Sequence, residues 1–226
     1  MALPIDVLHF LWCKFEETME KVFVSNHPLI QHKLSLLRDV NTEPKRFREV
    51  VYEITMLLTY EALADLPTRE IQVHTPLAEV VGREIEPIIG LVPILRSGLG
   101  MVKALLDMLP TAQVWHIGLY RDHNTLQPVQ YYNKLPQHGA TDMCLVLDPM
   151  LATGGSAAAT IAILKQWGTQ RIKYLGLIAA PEGVAHLRQQ HPDVEIYLAA
   201  IDSHLNEIGY IVPGLGDAGD RQFGTL

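Results

Sequence analysis

The chain has 226 residues, 48% of them hydrophobic and 19% charged, which suits one large globular domain and carries no disorder signature. Eighteen basic residues against 25 acidic ones give a formal net charge of −7, so the surface as a whole offers nothing to nucleic acid or to an anionic membrane, although a local basic cluster could still hold phosphate groups. Its two cysteines, Cys13 and Cys144, form no Cys-x-x-Cys pair and have no histidine at zinc spacing, which fits a reducing cytoplasm.

From Asp6 to Val24 apolar residues recur at helical spacing (Leu8, Leu11, Phe15, Met19, Val22), predicting an amphipathic helix used for packing or subunit contact. Within it Val7–Cys13 is apolar but lacks a basic start and is too short to span a bilayer, so a soluble intracellular protein is expected. A second short helix is predicted over Leu29–Leu37. A third begins with Thr42 as N-cap and Pro44 in the first turn, and lines up Phe47, Val50, Val51, Ile54, Leu57 and Leu58 on one face. Residues 66–87, with three prolines and a glycine, read as short strands or loops.

From Ile88 onward the pattern changes to five short apolar runs: Ile88–Ile94, Val114–Leu119, Met143–Leu147, Lys173–Ala179 and Val194–Ile201. Cys144 falls inside one of them and reads as a core residue. Helical patterns at 99–109, 156–167 and 182–190 fill three of the gaps, which predicts an α/β domain with a mostly parallel five-stranded sheet covered on both faces. The gap from Tyr120 to Met143 is polar and proline-bearing instead, and such an excursion reads as a lid or arm in which Val129–Tyr132 forms a strand of a protruding hairpin. The first helices and the C-terminal tail are expected to form a hood.

The chemistry concentrates where apolar runs meet helices. Leu145-Val146-Leu147 ends on Asp148, and Ala152-Thr153-Gly154-Gly155-Ser156 stands before the next helix. In a parallel sheet, ligands bind beyond the carboxyl ends of the strands. There, glycines admit an anion to the backbone and the first N–H groups of a helix point at it. Thr153 and Ser156 add hydroxyl donors or caps. Asp148 would repel a phosphate but suits a neighbouring diol, which offers two O–H donors. Phosphate plus diol describes a ribose 5-phosphate. A second junction, Pro93–Gly100, offers Arg96 and Gly98 to another anion, with a bare turn and a surface arginine as the competing reading. Arg121, at the root of the arm, favours the anion, and a ligand with phosphates at both ends. In the tail, Gly214, Gly216 and Gly219 match Gly-x-Gly-x-x-Gly, but only seven residues follow, too few for a dinucleotide fold. Bare backbone there can instead present N–H and C=O groups to the edge of a flat heterocycle.

The run Asp148-Pro149-Met150-Leu151-Ala152-Thr153-Gly154-Gly155-Ser156 resembles the phosphoribosyl-diphosphate loop of type I phosphoribosyltransferases in their uracil-specific form. Pro93–Gly100, Tyr120-Arg121, the stretch Tyr131–Pro136 and the tail Gly209–Gly224 resemble the same branch, as do His27-Pro28-Leu29, His32-Lys33-Leu34 and Leu58–Ala62. Pro149 stands where many type I relatives have a second acid, which favours that branch. No repeat, low-complexity tract or Gly/Ser linker interrupts the chain, so one domain over 1–226 is expected, with 122–140 as a flexible arm and 202–226 as a base-binding tail; the resemblance covers about residues 25 to 226, and residues 1–24 depart from it as an extension. The resemblance implies a homodimer or larger assembly, Mg2+ carried in on the substrate with no protein metal site, and uracil and 5-phosphoribosyl 1-diphosphate as substrates. GTP activates some relatives, and no residue here marks such a site. By motif, Asp148–Ser156 would hold the ribose hydroxyls and 5-phosphate, and Arg96 and Arg121 the diphosphate. Ile211, Gly216, Asp217 and Ala218 would line the uracil site, with Asp217 also touching the donor; Asp148, Arg121 and Asp217 would be the catalytic residues. The rivals are a pyrimidine-sensing RNA-binding regulator of the same fold, disfavoured by the charge of −7, a transferase for another base, and a non-catalytic paralogue.

Overall fold

The computed structural model describes residues 20–121, 128–133, 135–136 and 141–225. A seven-stranded sheet runs in the order β1 (Val22–Val24), β11 (Glu195–Ile201), β10 (Arg171–Ala179), β8 (Met143–Leu147), β4 (Ile89–Pro93), β5 (Gln113–Val114), with the two-residue β9 (Met150–Leu151) paired to the end of β10. Each pairing in it is parallel. The five central runs are present, and two short strands join them.

Strands buried on both faces need apolar residues at every position, and β8 shows the division plainly. Leu145 and Leu147 face one core with α1 (Pro28–Arg38), α2 (Pro44–Ala62) and α3 (Leu99–Met108), whereas Cys144 and Val146 face the other with α4 (Gly155–Trp167) and α5 (Pro181–Gln190). On α2, Phe47, Val50, Ile54 and Leu58 are fully buried, each side chain contributing about 1.5–3 kcal/mol of apolar transfer. Charge enters the core once in this sheet: Lys173 is wholly buried, donating to Ala62 O at 2.6 Å and pairing with Asp65 and Glu195 at 2.8 Å each.

Three expectations need correction. The helix predicted through Val24 stops short, because Val22-Phe23-Val24 is an extended edge strand paired with β11; Phe23 stacks on Tyr197 at 4.7 Å, and residues 1–19 lie outside the described residues. The N-cap of α2 is Glu43, since the Thr42 hydroxyl turns back to donate to Leu36 O at 2.6 Å. The run Val114–Leu119 is two strands: β5 ends at Val114, and β6 (Ile117–Arg121) leaves the sheet to pair antiparallel with β7 (Pro128–Asn133). Residues 66–87 form an exposed hairpin of β2 (Thr68–His74) and β3 (Glu79–Ile85). The expected strand at 129–132 is β7; residues 122–127, 134 and 137–140 of the arm lie outside the described residues.

The tail closes over the edge of this core as a small hairpin, β12 (His204–Leu205) with β13 (Ile211–Val212), followed by α6 (Ala218–Phe223) packed on α2. This is the expected hood. Two peptide bonds near it are cis, Leu95–Arg96 and Val212–Pro213. Among the described residues no helix is long and apolar enough to cross a membrane.

Candidate active site

Strands β4 and β8 are neighbours, yet the chain leaves them in opposite directions: β4 leads through α3 to β5, and β8 leads through α4 to β10 on the other side. The carboxyl ends of these strands therefore form a switch point, where loops part and leave a crevice. Residues 94–99 and 148–155 enter it side by side. Ile94 N donates to Leu147 O at 2.9 Å, and a Cβ at Gly98 would lie 2.3 Å from that same oxygen. Gly98, read above as an anion holder, thus lets the two loops touch.

The candidate phosphate loop, residues 148–156, runs from the end of β8 directly into α4. Gly154 is the N-cap of α4 in the left-handed region, φ 79°, and no side chain caps the helix. The first N–H groups of α4 border a small cavity of about 100 Å³ between Asp148 and Ala157. The hydroxyls of Thr153 and Ser156 line it as well and serve no capping bond. The loop lies directly on α5: a Cβ at Gly183 would come within 2.3 Å of Ala152 O, and one at Gly154 within 2.9 Å of Gly183 O. A glycine in the first turn of a helix, as in Pro181-Glu182-Gly183, was the one sequence sign of this contact. Pro149 is buried away from the cavity, its carbonyl accepting from Leu177 and Ile178 at 3.1 and 3.0 Å.

Beside the loop opens a cavity of about 290 Å³. Three segments line it: Asp148 with Met150 and Ala152 after β8, Ser97 after β4, and the tail at Gly209-Tyr210 and Gly216-Asp217-Ala218-Gly219. Asp148 Oδ1 accepts from Ser97 Oγ at 3.2 Å and from Met150 N at 3.4 Å. Burial outweighs these two bonds and raises the carboxyl from 3.8 to about 7. Among the described residues no cation pairs with this carboxyl, and it has spare acceptor capacity that a pair of donor hydroxyls would complete.

Of the residues predicted for the site, Asp148, Met150, Ala152, Gly216, Asp217 and Ala218 line this cavity, whereas Ile211 is buried and does not line it, its carbonyl 2.1 Å from where a Cβ on Gly214 would sit. Asp217 both faces the cavity and caps α6, accepting from Asp220 N at 2.9 Å. Arg96 stands at the rim with its guanidinium paired to Asp220 at 3.0 Å. The backbone of Arg121 ends β6, and its side chain lies outside the described residues. Tyr210 and Ser97 were quoted within motifs and given no role.

Missed altogether were the residues that hold the tail in place. Arg38 clasps Asp202 through both nitrogens at 2.7 and 2.5 Å and donates to Gly214 O at 2.7 Å, while Asp202 accepts from Gly214 N at 2.9 Å. Arg221 donates to Leu37 O at 2.7 Å and Leu215 O at 2.8 Å, over the Phe47 ring at 4.4 Å. No motif marks these pairings, whose partners are up to 184 residues apart.

Among the described residues no group of three or more His, Cys, Asp or Glu side chains could hold a metal ion. The two carboxylates of the cavity, Asp148 and Asp217, fit a magnesium ion that arrives on phosphate oxygens and keeps much of its water.

A parallel sheet with a phosphate cradle and a recessed carboxylate at its switch point is the architecture of the type I phosphoribosyltransferase class. The comparisons narrow this. A family model described as uracil phosphoribosyltransferase matches residues 24–225. A uracil phosphoribosyltransferase of Roseiflexus castenholzii is 66% identical over 207 residues, covering 92% of this chain and 100% of that one. One of Symbiobacterium thermophilum is 60% identical over 208 residues, again 92% and 100%. Among solved structures, the AQ2163 protein of Aquifex aeolicus superposes with a TM-score of 0.84 at 35% identity, over 89% of this chain and 97% of that one. The chain belongs to the uracil phosphoribosyltransferase family.

Proposed function

We infer that the protein transfers the 5-phosphoribosyl group of 5-phosphoribosyl 1-diphosphate to uracil, giving uridine monophosphate and diphosphate. The observation that carries this reading is the single cavity in which Asp148, at the mouth of the phosphate loop, faces the backbone of Gly216–Ala218 across a gap.

In this reading the uncapped start of α4 takes the 5-phosphate, and Asp148 accepts from the ribose hydroxyls. The diphosphate meets Arg96, which must leave Asp220, together with Arg121. Asp148 and Asp217 would hold a magnesium ion brought in with the diphosphate, which would supply charge neutralisation on the leaving group. The bond to diphosphate loosens before the base attacks, so the chain's own work is positioning and electrostatics rather than covalent catalysis. Backbone groups of Gly216–Ala218 read the base edge; an N–H facing a carbonyl oxygen of uracil would face an amino group in cytosine, leaving two donors opposed. The same reading makes the protein a cytoplasmic homo-oligomer, checked by light scattering, and includes GTP as an activator to be tried in the assay.

The test is diphosphate release from 5-phosphoribosyl 1-diphosphate and Mg2+ with uracil, cytosine, hypoxanthine or orotate. Turnover with uracil alone, lost in Asp148→Asn and Arg121→Ala, is the expected result. Turnover with a different base, or with none, defeats the reading.

A further inference from the structure

Gln222, in the last turn of α6, is wholly buried, and its amide is used in a one-sided way. Nε2 donates to Ser97 O at 3.0 Å and to Ala218 O at 2.9 Å. Both amide hydrogens are thereby committed, and flipping the group would set its oxygen against two carbonyls. Oε1 in turn has no hydrogen-bond partner and rests against Gly100, where a Cβ would lie only 1.6 Å away. Such an orphaned acceptor lowers stability, and a hydrocarbon side chain would avoid it. What the glutamine does supply is the pair of donors. The residue's own carbonyl is fixed by Arg48 at 2.5 Å, so the side chain hangs from a held backbone.

The two carbonyls it joins belong to two separate segments that line the cavity, the tail and the loop after β4. Ala218 is on the wall that faces the base. Ser97 is on the other wall, and its hydroxyl donates to Asp148 at 3.2 Å. A continuous chain of hydrogen bonds thus runs from the tail, through the Gln222 amide and Ser97, to the Asp148 carboxylate. We propose that Gln222 is a positioning residue that sets the spacing between the base wall and the donor wall, so that the attacking nitrogen of the base meets the ribose carbon in line. The inference rests on the transferase reading above. Gly100 belongs to the same device, because any side chain there would evict the amide.

The separation is what makes this testable. The phosphate cradle is held by α4 and α5 and shares no hydrogen bond with Gln222, and Asp148 keeps its bond from Met150 N, so the larger effect of cutting the strap should fall on the base. Five variants are compared with wild type at 25 °C, with thermal melts to show that each is folded: Gln222→Leu, Gln222→Glu, Gln222→Ala, Gly100→Ala and the double variant Gly100→Ala with Gln222→Ala. Steady-state kinetics are run in both substrates, and the Kd of 5-phosphoribosyl 1-diphosphate is measured by calorimetry. Gln222→Leu is expected to lower kcat about tenfold and raise the uracil KM about fivefold, with the donor Kd within about twofold of wild type. Gly100→Ala is expected to reproduce that pattern. The double variant should be no worse than Gln222→Ala alone, since the methyl then enters vacated space. Gln222→Glu keeps the shape but donates only when protonated, so its deficit should shrink as pH falls from about 8 to 6. If Gln222→Leu is unfolded at the assay temperature, the glutamate variant carries the same comparison. A folded Gln222 variant with kcat and uracil KM within twofold of wild type overturns the inference, as does a donor Kd that weakens as much as the uracil KM. Wild-type protein without turnover on uracil overturns the transferase reading and this inference with it.

Discussion

The two sides of the cavity are built by opposite strategies. The phosphate loop is contiguous: nine residues, Asp148 to Ser156, supply the carboxylate, the cradle and the start of α4, and their shape follows from a strand ending and a helix beginning. The base wall, from Gly209 to Gly219, has little regular structure of its own, only the two-residue β13 and the first residues of α6. Distant groups hold it: Arg38 on Asp202 and Gly214, Arg221 on Leu37 and Leu215, Gln222 on Ser97. Damage to the phosphate loop should therefore be local and strike the donor. Damage to the base wall can come from anywhere in the hood and should strike the base.

The sharpest attack on that contrast is Arg38→Ala. It leaves the Asp202 carboxylate, 4% exposed, without its bidentate partner, and breaking a buried pair in this way costs about 3–5 kcal/mol. The variant should lose that much in urea denaturation, and its uracil KM should rise while the donor Kd holds; a donor Kd weakened equally would erase the distinction between the two walls.

Asp148→Asn makes the opposite cut. It should remove about 2.7 kcal/mol or more of transition-state stabilisation, roughly a hundredfold in kcat, and yet not destabilise the fold. The sign follows from burial: the folded carboxyl titrates near 7, above its ordinary 3.8, so the stability linked to this group is fully present below 3.8 and is lost as pH rises toward and past 7. The melting temperature of the variant relative to wild type should accordingly climb between pH 5 and pH 8. The same shift predicts that donor binding near pH 6 releases a proton, because hydroxyl donors favour the ionised carboxylate. Calorimetry in two buffers of different ionisation enthalpy should register that release in wild type and not in the variant.

Smaller still is Gly154→Ala. A side chain at φ 79° and 2.9 Å from Gly183 O is strained, at a cost of about 1–3 kcal/mol, and the loss should fall on the donor Kd with the uracil KM intact. The mildest is Asp220→Asn, which frees Arg96 from an exposed, solvent-screened ion pair at 3.0 Å. Diphosphate should bind about two- to fivefold more tightly, whereas a purely structural role for Asp220 would leave diphosphate binding unchanged or weaker.

The alternation of strands and helices from Ile88 onward, and the acid-then-glycine junction after β8, were legible in the sequence because each rests on contacts among residues a few positions apart. Period-two and period-3.6 patterns, a glycine that accepts φ 79°, and a run of residues buried on both faces are local facts. Where the pattern misled, a distant partner had decided the matter. Val22–Val24 fits a helical stripe, yet the open edge of β11 gives its backbone a ladder of hydrogen bonds. Val114–Leu119 reads as one strand, yet the departure of β6 to pair with β7 splits it.

The sequence by itself determined that an α/β domain would carry a phosphate cradle beside a carboxylate at one strand end, since backbone freedom, helix starts and hydrophobic period are properties of neighbouring residues. The tertiary structure alone decided that the glycine-rich tail would swing back over that strand end, which tail residues would face the cavity, and that Arg38, Asp202, Arg221 and Gln222 would pin it there. Hydrogen bonds between groups 125 to 184 residues apart exist only once the chain has closed on itself, and no spacing along the sequence records them.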